Sequence, residues 1–136
     1  MLVIHATKKL RDRLKTAPPH RHEASTTALG DWYATALFWR PQVALFVNET
    51  TLLPVLVPLA PSATLVVRFA PALAEVLAAQ GATPDFIEAE TGEMGDWRLA
   101  KTANRSVVGI MTEFTYLAEA HSAHRGESNL WNCPSD

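Results

Sequence analysis

Residues 29–60, LGDWYATALFWRPQVALFVNETTLLPVLVPLA, constrain the fold more than any other part of the chain. Three short apolar runs are divided by Arg40-Pro41-Gln42 and by Asn48-Glu49-Thr50-Thr51, two clusters of turn-forming residues. Runs of this length, rich in Val, Phe, Trp and Tyr, suit strands, and connections this short make consecutive strands antiparallel. The expectation is a three-strand meander over about residues 32–59. On its first strand Trp32, Ala34, Ala36 and Phe38 share one face, and Tyr33, Thr35, Leu37 and Trp39 share the other. Large residues on both faces imply that both are covered, and in so small a domain the expected second cover is a partner chain. Pro54 and Pro58 cannot donate to a ladder, which places the third strand at an edge.

The flanking sequence supplies helices. Leu2-Val3-Ile4 suits a short strand, and Thr7 stands where its hydroxyl would cap a helix over 8–15, with Leu10 and Leu14 on one face. Residues 17–27 open with Pro18-Pro19 and read as a loop. The segment 63–81, capped by Ser62 and stopped at Gly81, carries Leu65, Phe69, Leu73, Val76 and Leu77 at helical spacing. Pro71 leaves two readings: a long helix kinked at the proline, preferred here, or a helix starting near Ala70 after an extended TLVVRF. Residues 84–90 suit a second short helix and 97–101 a return strand. A last helix from Asn104 or Ser106 to about His124 would place Val107, Ile110, Met111, Phe114 and Leu117 on its core side. The fold class is therefore α+β, an antiparallel or mixed sheet packed with helices, as a single domain over 1–125 with an irregular tail at 126–136. Gly30-Asp31-Trp32 recurs as Gly95-Asp96-Trp97, which reads as two similar turns leading into strands.

With 136 residues the chain can bury a core without staples, and the single Cys133 cannot close a disulfide within it. A formal charge of −2 offers no electrostatic case for nucleic acid. The first residues, MLVIHATKKLRDRLK, carry their charges after the apolar stretch rather than before it, the wrong order for a secretory signal. No uninterrupted apolar run approaches the roughly 20 residues of a membrane helix. The expectation is a soluble cytoplasmic protein, in which the sequons at Asn48 and Asn104 stay unmodified.

Four pieces carry a family pattern: His5-Ala6-Thr7-Lys8-Lys9-Leu10, then Leu29-Gly30-Asp31-Trp32-Tyr33-Ala34, then Leu45-Phe46-Val47-Asn48-Glu49-Thr50-Thr51-Leu52, and finally 101–111, KTANRSVVGIM. In that order they resemble a family of small bacterial proteins of unknown function, over most of the chain up to about Leu117. Thr112-Glu113 stands where the family pattern tends to read Asn and an acidic residue. The resemblance implies no activity, cofactor or catalytic residue.

The best candidate site is Lys101, Thr102, Asn104, Arg105 and Ser106, at a strand-to-helix junction where free amides and the helix dipole favour an anion. A phosphate, nucleotide or RNA backbone would suit it; the plainer reading is that Asn104 or Ser106 caps the helix. His5 and Asp31 are supporting polar candidates. The pairs His20/His22 and His121/His124 lack the spacing and converging ligands of a zinc site, so neither metal nor cofactor is expected. Ser25, Ser106 and Cys133 are present, but no Gly-x-Ser-x-Gly nucleophile elbow surrounds them, which disfavours nucleophilic catalysis. Convergence of two of Asp31, Glu49, Asp96 and Glu113 would serve acid–base work or Mg²⁺, but turn and cap roles fit each better. Trp32, Tyr33, Trp39 and Trp97 would make a stacking platform if exposed and core if not. The leading expectation is a non-catalytic interaction or oligomerisation module, either a homo-oligomer or the small partner of another protein. The competing one is a phosphate-, nucleotide- or RNA-binding protein or enzyme using residues 101–106, and a metal-dependent hydrolase on His5, Asp31 and His22 ranks third. Convergence of His5, Asp31, Lys101, Asn104 and Arg105 on one concave surface would favour a ligand site.

Overall fold

The structure, a computed structural model, describes residues 1–14, 25–37 and 42–125, with side chains described as far as Leu117. In chain order it contains β1 (Leu2–Ala6), α1 (Lys8–Leu14), β2 (Trp32–Leu37), β3 (Val43–Asn48), β4 (Pro54–Pro58), α2 (Leu65–Ala79), α3 (Pro84–Gly92), β5 (Trp97–Lys101) and α4 (Arg105–Arg125). Short 3-10 turns at Ser62–Thr64 and Glu93–Gly95 lead into α2 and β5. The strands form one mixed sheet in the order β4-β3-β2-β1-β5. β1 runs parallel to both β2 and β5, while β2, β3 and β4 are the expected antiparallel meander. The α+β class is thus correct, and β4 lies at an edge as its prolines require.

One face of the sheet carries Leu2, Ile4, Trp32, Ala34, Phe46, Val55, Val57 and Leu99, all buried under Leu10 of α1 and Leu65, Phe69, Leu73 and Leu77 of α2. Phe69 is the centre of this layer, 4.3 Å from Phe46 and edge-on to Trp32 at 5.0 Å between ring centroids. Complete burial of a side chain of this size contributes about 2–3 kcal/mol. Pro71 lies inside α2, so the long-helix reading holds. Its missing amide would have bonded the Val67 carbonyl, and Val67 is on the solvent side at 68% exposure, where water can take that carbonyl. Gly81 stops the helix in the left-handed conformation at φ +92°, with the Gly81 amide on the Ala78 carbonyl and the Ala82 amide on the Leu77 carbonyl.

Two capping expectations are corrected. Ser62 opens a 3-10 turn, and α2 follows it with Thr64 at the cap position and no side-chain cap bond. The junction is instead held by Arg68, whose guanidinium donates to the carbonyls of Pro58, Leu59 and Pro61. The Thr7 hydroxyl pairs with that of Thr35 on β2 at 2.9 Å. Residues 62–79 have the length and mean hydropathy of a membrane span, yet in this fold their stripe from Leu65 to Leu77 is spent on the sheet.

The opposite face carries Tyr33, Leu37, Leu45 and Val47, covered by Val107 and Met111 of α4 with Val108 and Phe114 at the margin. Here the expected core stripe is only half right. Val107 and Met111 are each 2% exposed, but Ile110 is 37% and Leu117 70% exposed. A lone helix over two strands buries only its central line, and its flanks need a neighbour that α4 does not have among the described residues. Phe38, Trp39, the Arg40-Pro41 turn, the 15–24 loop and the tail from 126 lie outside the described residues.

Candidate functional site

Four of the polar residues singled out in the sequence meet where β5 ends and α4 begins, beside the start of β2. The register sets Trp32 opposite Asn48, which brings Asp31 beside Glu49; the Glu49 amide donates to the Asp31 carbonyl at 3.0 Å. His5 sits on β1 between Tyr33 and Ala100 in the sheet, on the α4 side, and its ring stacks on that of Tyr33 at 4.6 Å and 19°. Its Nδ1 is 2.9 Å from the Lys101 carbonyl oxygen and its Nε2 is 2.8 Å from Asp31 Oδ2. A carbonyl only accepts, so Nδ1 carries the hydrogen, and Nε2 faces the carboxylate.

The second Asp31 oxygen accepts the Ser25 amide at 3.0 Å. Partial burial pushes the Asp31 carboxyl upward, but bonds from His5, the Ser25 amide and the Ser25 hydroxyl, with the imidazole's charge, hold it below its ordinary 3.8. Tyr33, buried, accepts the Asn104 amide on its hydroxyl at 2.8 Å. Asn104 then accepts the amides of Ser106 and Val107 on Oδ1 at 3.0 and 3.3 Å, and donates from Nδ2 to Glu49 Oε2 at 3.2 Å. It is the N-cap of α4.

His5, Asp31, the Lys101 backbone and Asn104 are therefore joined into one junction through Tyr33 and Glu49. Lys101, Arg105 and Ser106 are exposed. Arg105 and Thr102 line an open depression of about 380 Å³ with Ala103, Val108 and Gly109. A second groove of about 280 Å³ runs along the same flank of α4, floored by Thr7, Thr35 and Met111 and walled by Thr112, Thr115 and Tyr116.

The order of contacts decides what the junction can do. A hydrolytic triad needs the imidazole between a nucleophile and a carboxylate. Here the carboxylate is between serine and imidazole, and the remaining ring nitrogen is engaged by a backbone carbonyl. Both ring nitrogens are engaged within the fold, so neither faces a substrate. Of the other carboxylates, Asp96 pairs with Arg98 at 2.6 Å and Glu113 is exposed. Trp32 and Tyr33 are core residues, so they offer no open stacking face; Trp97 is half-buried. Among the described residues no group of three His, Cys, Asp or Glu side chains converges as metal ligands, and His20, His22, the His121 and His124 side chains and Cys133 lie outside them.

Sequence reasoning missed three organising residues. Tyr33 was read only as an aromatic, although its hydroxyl fixes the amide that opens α4. Asn48, fully buried, accepts the Thr50 and Thr51 amides on Oδ1 and donates to the Leu29 carbonyl, which ties the β3–β4 turn to the segment before β2. Glu90 on α3, 2% exposed, accepts the amides of Ala28 and Leu29 at 2.9 and 3.1 Å. Only Asn48 left a sequence signal, since Asn at a turn commonly bonds the backbone ahead of it.

No curated protein and no solved structure matches the chain. Residues 3–133 match a family model, a span that takes in the junction, the meander and all of α4. The chain belongs to the family Domain of unknown function (DUF6933).

Proposed function

We propose that this domain is a non-catalytic interaction module that docks a partner protein on the outer flank of α4 and the neighbouring face of β4. The observation that carries the reading is the exposed apolar strip Ile110, Leu117 and Leu56, at 37%, 70% and 37% exposure. Val108, Thr112 and Thr115 face Thr7 and Thr35, so the opposite flank of α4, with Ile110 and Leu117, overlies the β3–β4 side. Leu56 pairs with Leu45 and so lies on the same sheet face as α4. The flanking Pro54 and Pro58 are exposed there too. Covering each of the three aliphatic side chains contributes on the order of 1–2 kcal/mol, enough to matter to an association. The closed bonding of His5 and Asp31 supports the non-catalytic part: these two side chains tie β1, β5 and the 25–31 segment together.

The test is the double variant Ile110→Ser/Leu117→Ser, which alters only exposed positions. Wild type is expected to bind a hydrophobic dye and to retain, when tagged and purified from its native cells, a stoichiometric partner. The variant should keep the wild-type circular dichroism and lose both. A wild type that binds no dye, or a variant that retains the same partner at the same ratio, overturns the reading.

A further inference from the structure

The two outer strands of the sheet are built differently. The Asn48 amide bonds the Leu53 carbonyl and the Leu59 amide bonds the Gln42 carbonyl. With Phe46 opposite Val55 and Ala44 opposite Val57, this turns the backbone of Pro54, Leu56 and Pro58 outward from β4. The two prolines have no amide hydrogen, so that edge is a poor template for another strand. On β5 the Leu2 amide bonds the Asp96 carbonyl at 2.9 Å, with Leu2 opposite Trp97. Arg98 and Ala100 therefore face β1, while Trp97, Leu99 and Lys101 turn their amides outward, and none is proline.

We propose that β5 pairs antiparallel with β5 of a second copy, joining the two sheets across a two-fold axis at Leu99. End-to-end overlap sets Leu99 opposite its own counterpart, Trp97 opposite Lys101 and Arg98 opposite Ala100. No like charges oppose one another, and the Trp97 ring meets a lysine on the same face. Moving the axis by one residue, to Arg98, would set two arginines face to face, which disfavours the slipped register. His5 already engages the Lys101 carbonyl. The Arg98 guanidinium likewise engages the Trp97 carbonyl at 2.9 Å; a carbonyl accepts two bonds, so the new ladder consists of the reciprocal Leu99 bonds and of the Trp97–Lys101 amide-to-carbonyl bonds across the axis. The axis stands perpendicular to the sheet, so both copies of α4 stay on one side and their Ile110–Leu117 flanks remain open. This pairing stands on the backbone of β5 and is independent of the docking strip on α4.

Light scattering of the full chain tests it. Wild type is expected at twice the chain mass, Lys101→Ala likewise, and Lys101→Pro, which removes an outward amide, at half the wild-type mass with unchanged circular dichroism. Ile110→Ser/Leu117→Ser should stay at twice the chain mass, which separates this interface from the α4 strip. A wild type of single-chain mass at every concentration, or a dimer lost in the double serine variant but kept in Lys101→Pro, overturns the proposal. Should Lys101→Pro fail to fold, amide exchange on wild type decides: the Leu99 amide must slow as concentration rises, and concentration-independent exchange refutes the pairing.

Discussion

Replacing Asp31 by alanine removes from the junction the charged bond with His5 at 2.8 Å and the bond from the Ser25 amide at 3.0 Å, together with the weaker contact of the Ser25 hydroxyl. A bond to a charged group contributes about 1.5–3 kcal/mol and a neutral one about 1. The Asp31 side chain is 20% exposed, so water recovers part of this, and the expected loss is about 2–3 kcal/mol. In a domain of this size that corresponds to a drop of roughly 8–12 °C in the thermal midpoint. Asp31→Asn should lose only about 1 kcal/mol, because its oxygen keeps the Ser25 amide and its amide can donate to a neutral His5 ring. The pH dependence gives a second readout. The folded carboxyl is held below its ordinary 3.8, so its stabilisation is complete above that value and drains away as acid protonates it below. Urea unfolding from neutral pH into acid should therefore show the wild-type and Asp31→Asn stabilities converging below that point. A cost under about 0.5 kcal/mol for Asp31→Ala, or two curves that stay parallel into acid, would refute the assignment of Asp31 as a structural anchor.

Other substitutions test the remaining anchors. Asn48→Ala takes the donor away from the half-buried Leu29 carbonyl and frees two turn amides, and should cost about 3 kcal/mol by denaturant unfolding. Glu90→Gln turns an NH₂ toward one of the two amides its carboxylate now accepts, and should cost about 2 kcal/mol in the same assay. Phosphate or sulfate should move the thermal midpoints of wild type and Arg105→Ala equally, because Asn104 already holds the amides of Ser106 and Val107. A shift confined to wild type would restore an anion-binding role to that junction.

What could be read from the sequence was local. Period-two alternation in β2, prolines at both ends of β4, the glycine after α2 and Asn104 ahead of α4 each act through their own neighbours, and each is where the sequence places it. The junction was not legible in the same way. His5 and Asp31 are 26 residues apart and meet only because β1 and β2 pair in parallel register. The sequence marks both as polar candidates whose convergence would signal a site, but no local pattern in it fixes the contact. In the sequence Glu90 is only the last residue of a short helix, and the docking of α3 against the 25–31 segment buries it. Helical periodicity gave α4 an apolar side but not how much of it the sheet would cover, so Ile110 and Leu117 were assigned to a core that ends at Val107 and Met111. That failure is informative, since apolar residues left open by the fold are where binding surfaces arise.

Methyl NMR of the isolated chain with a soluble paramagnetic probe addresses the account most directly. Ile110, Leu117 and Leu56 should broaden strongly while Val107, Met111 and Leu45 are spared. If Ile110 and Leu117 prove as sheltered as Met111, the chain has no open apolar flank on α4 and the interaction reading fails.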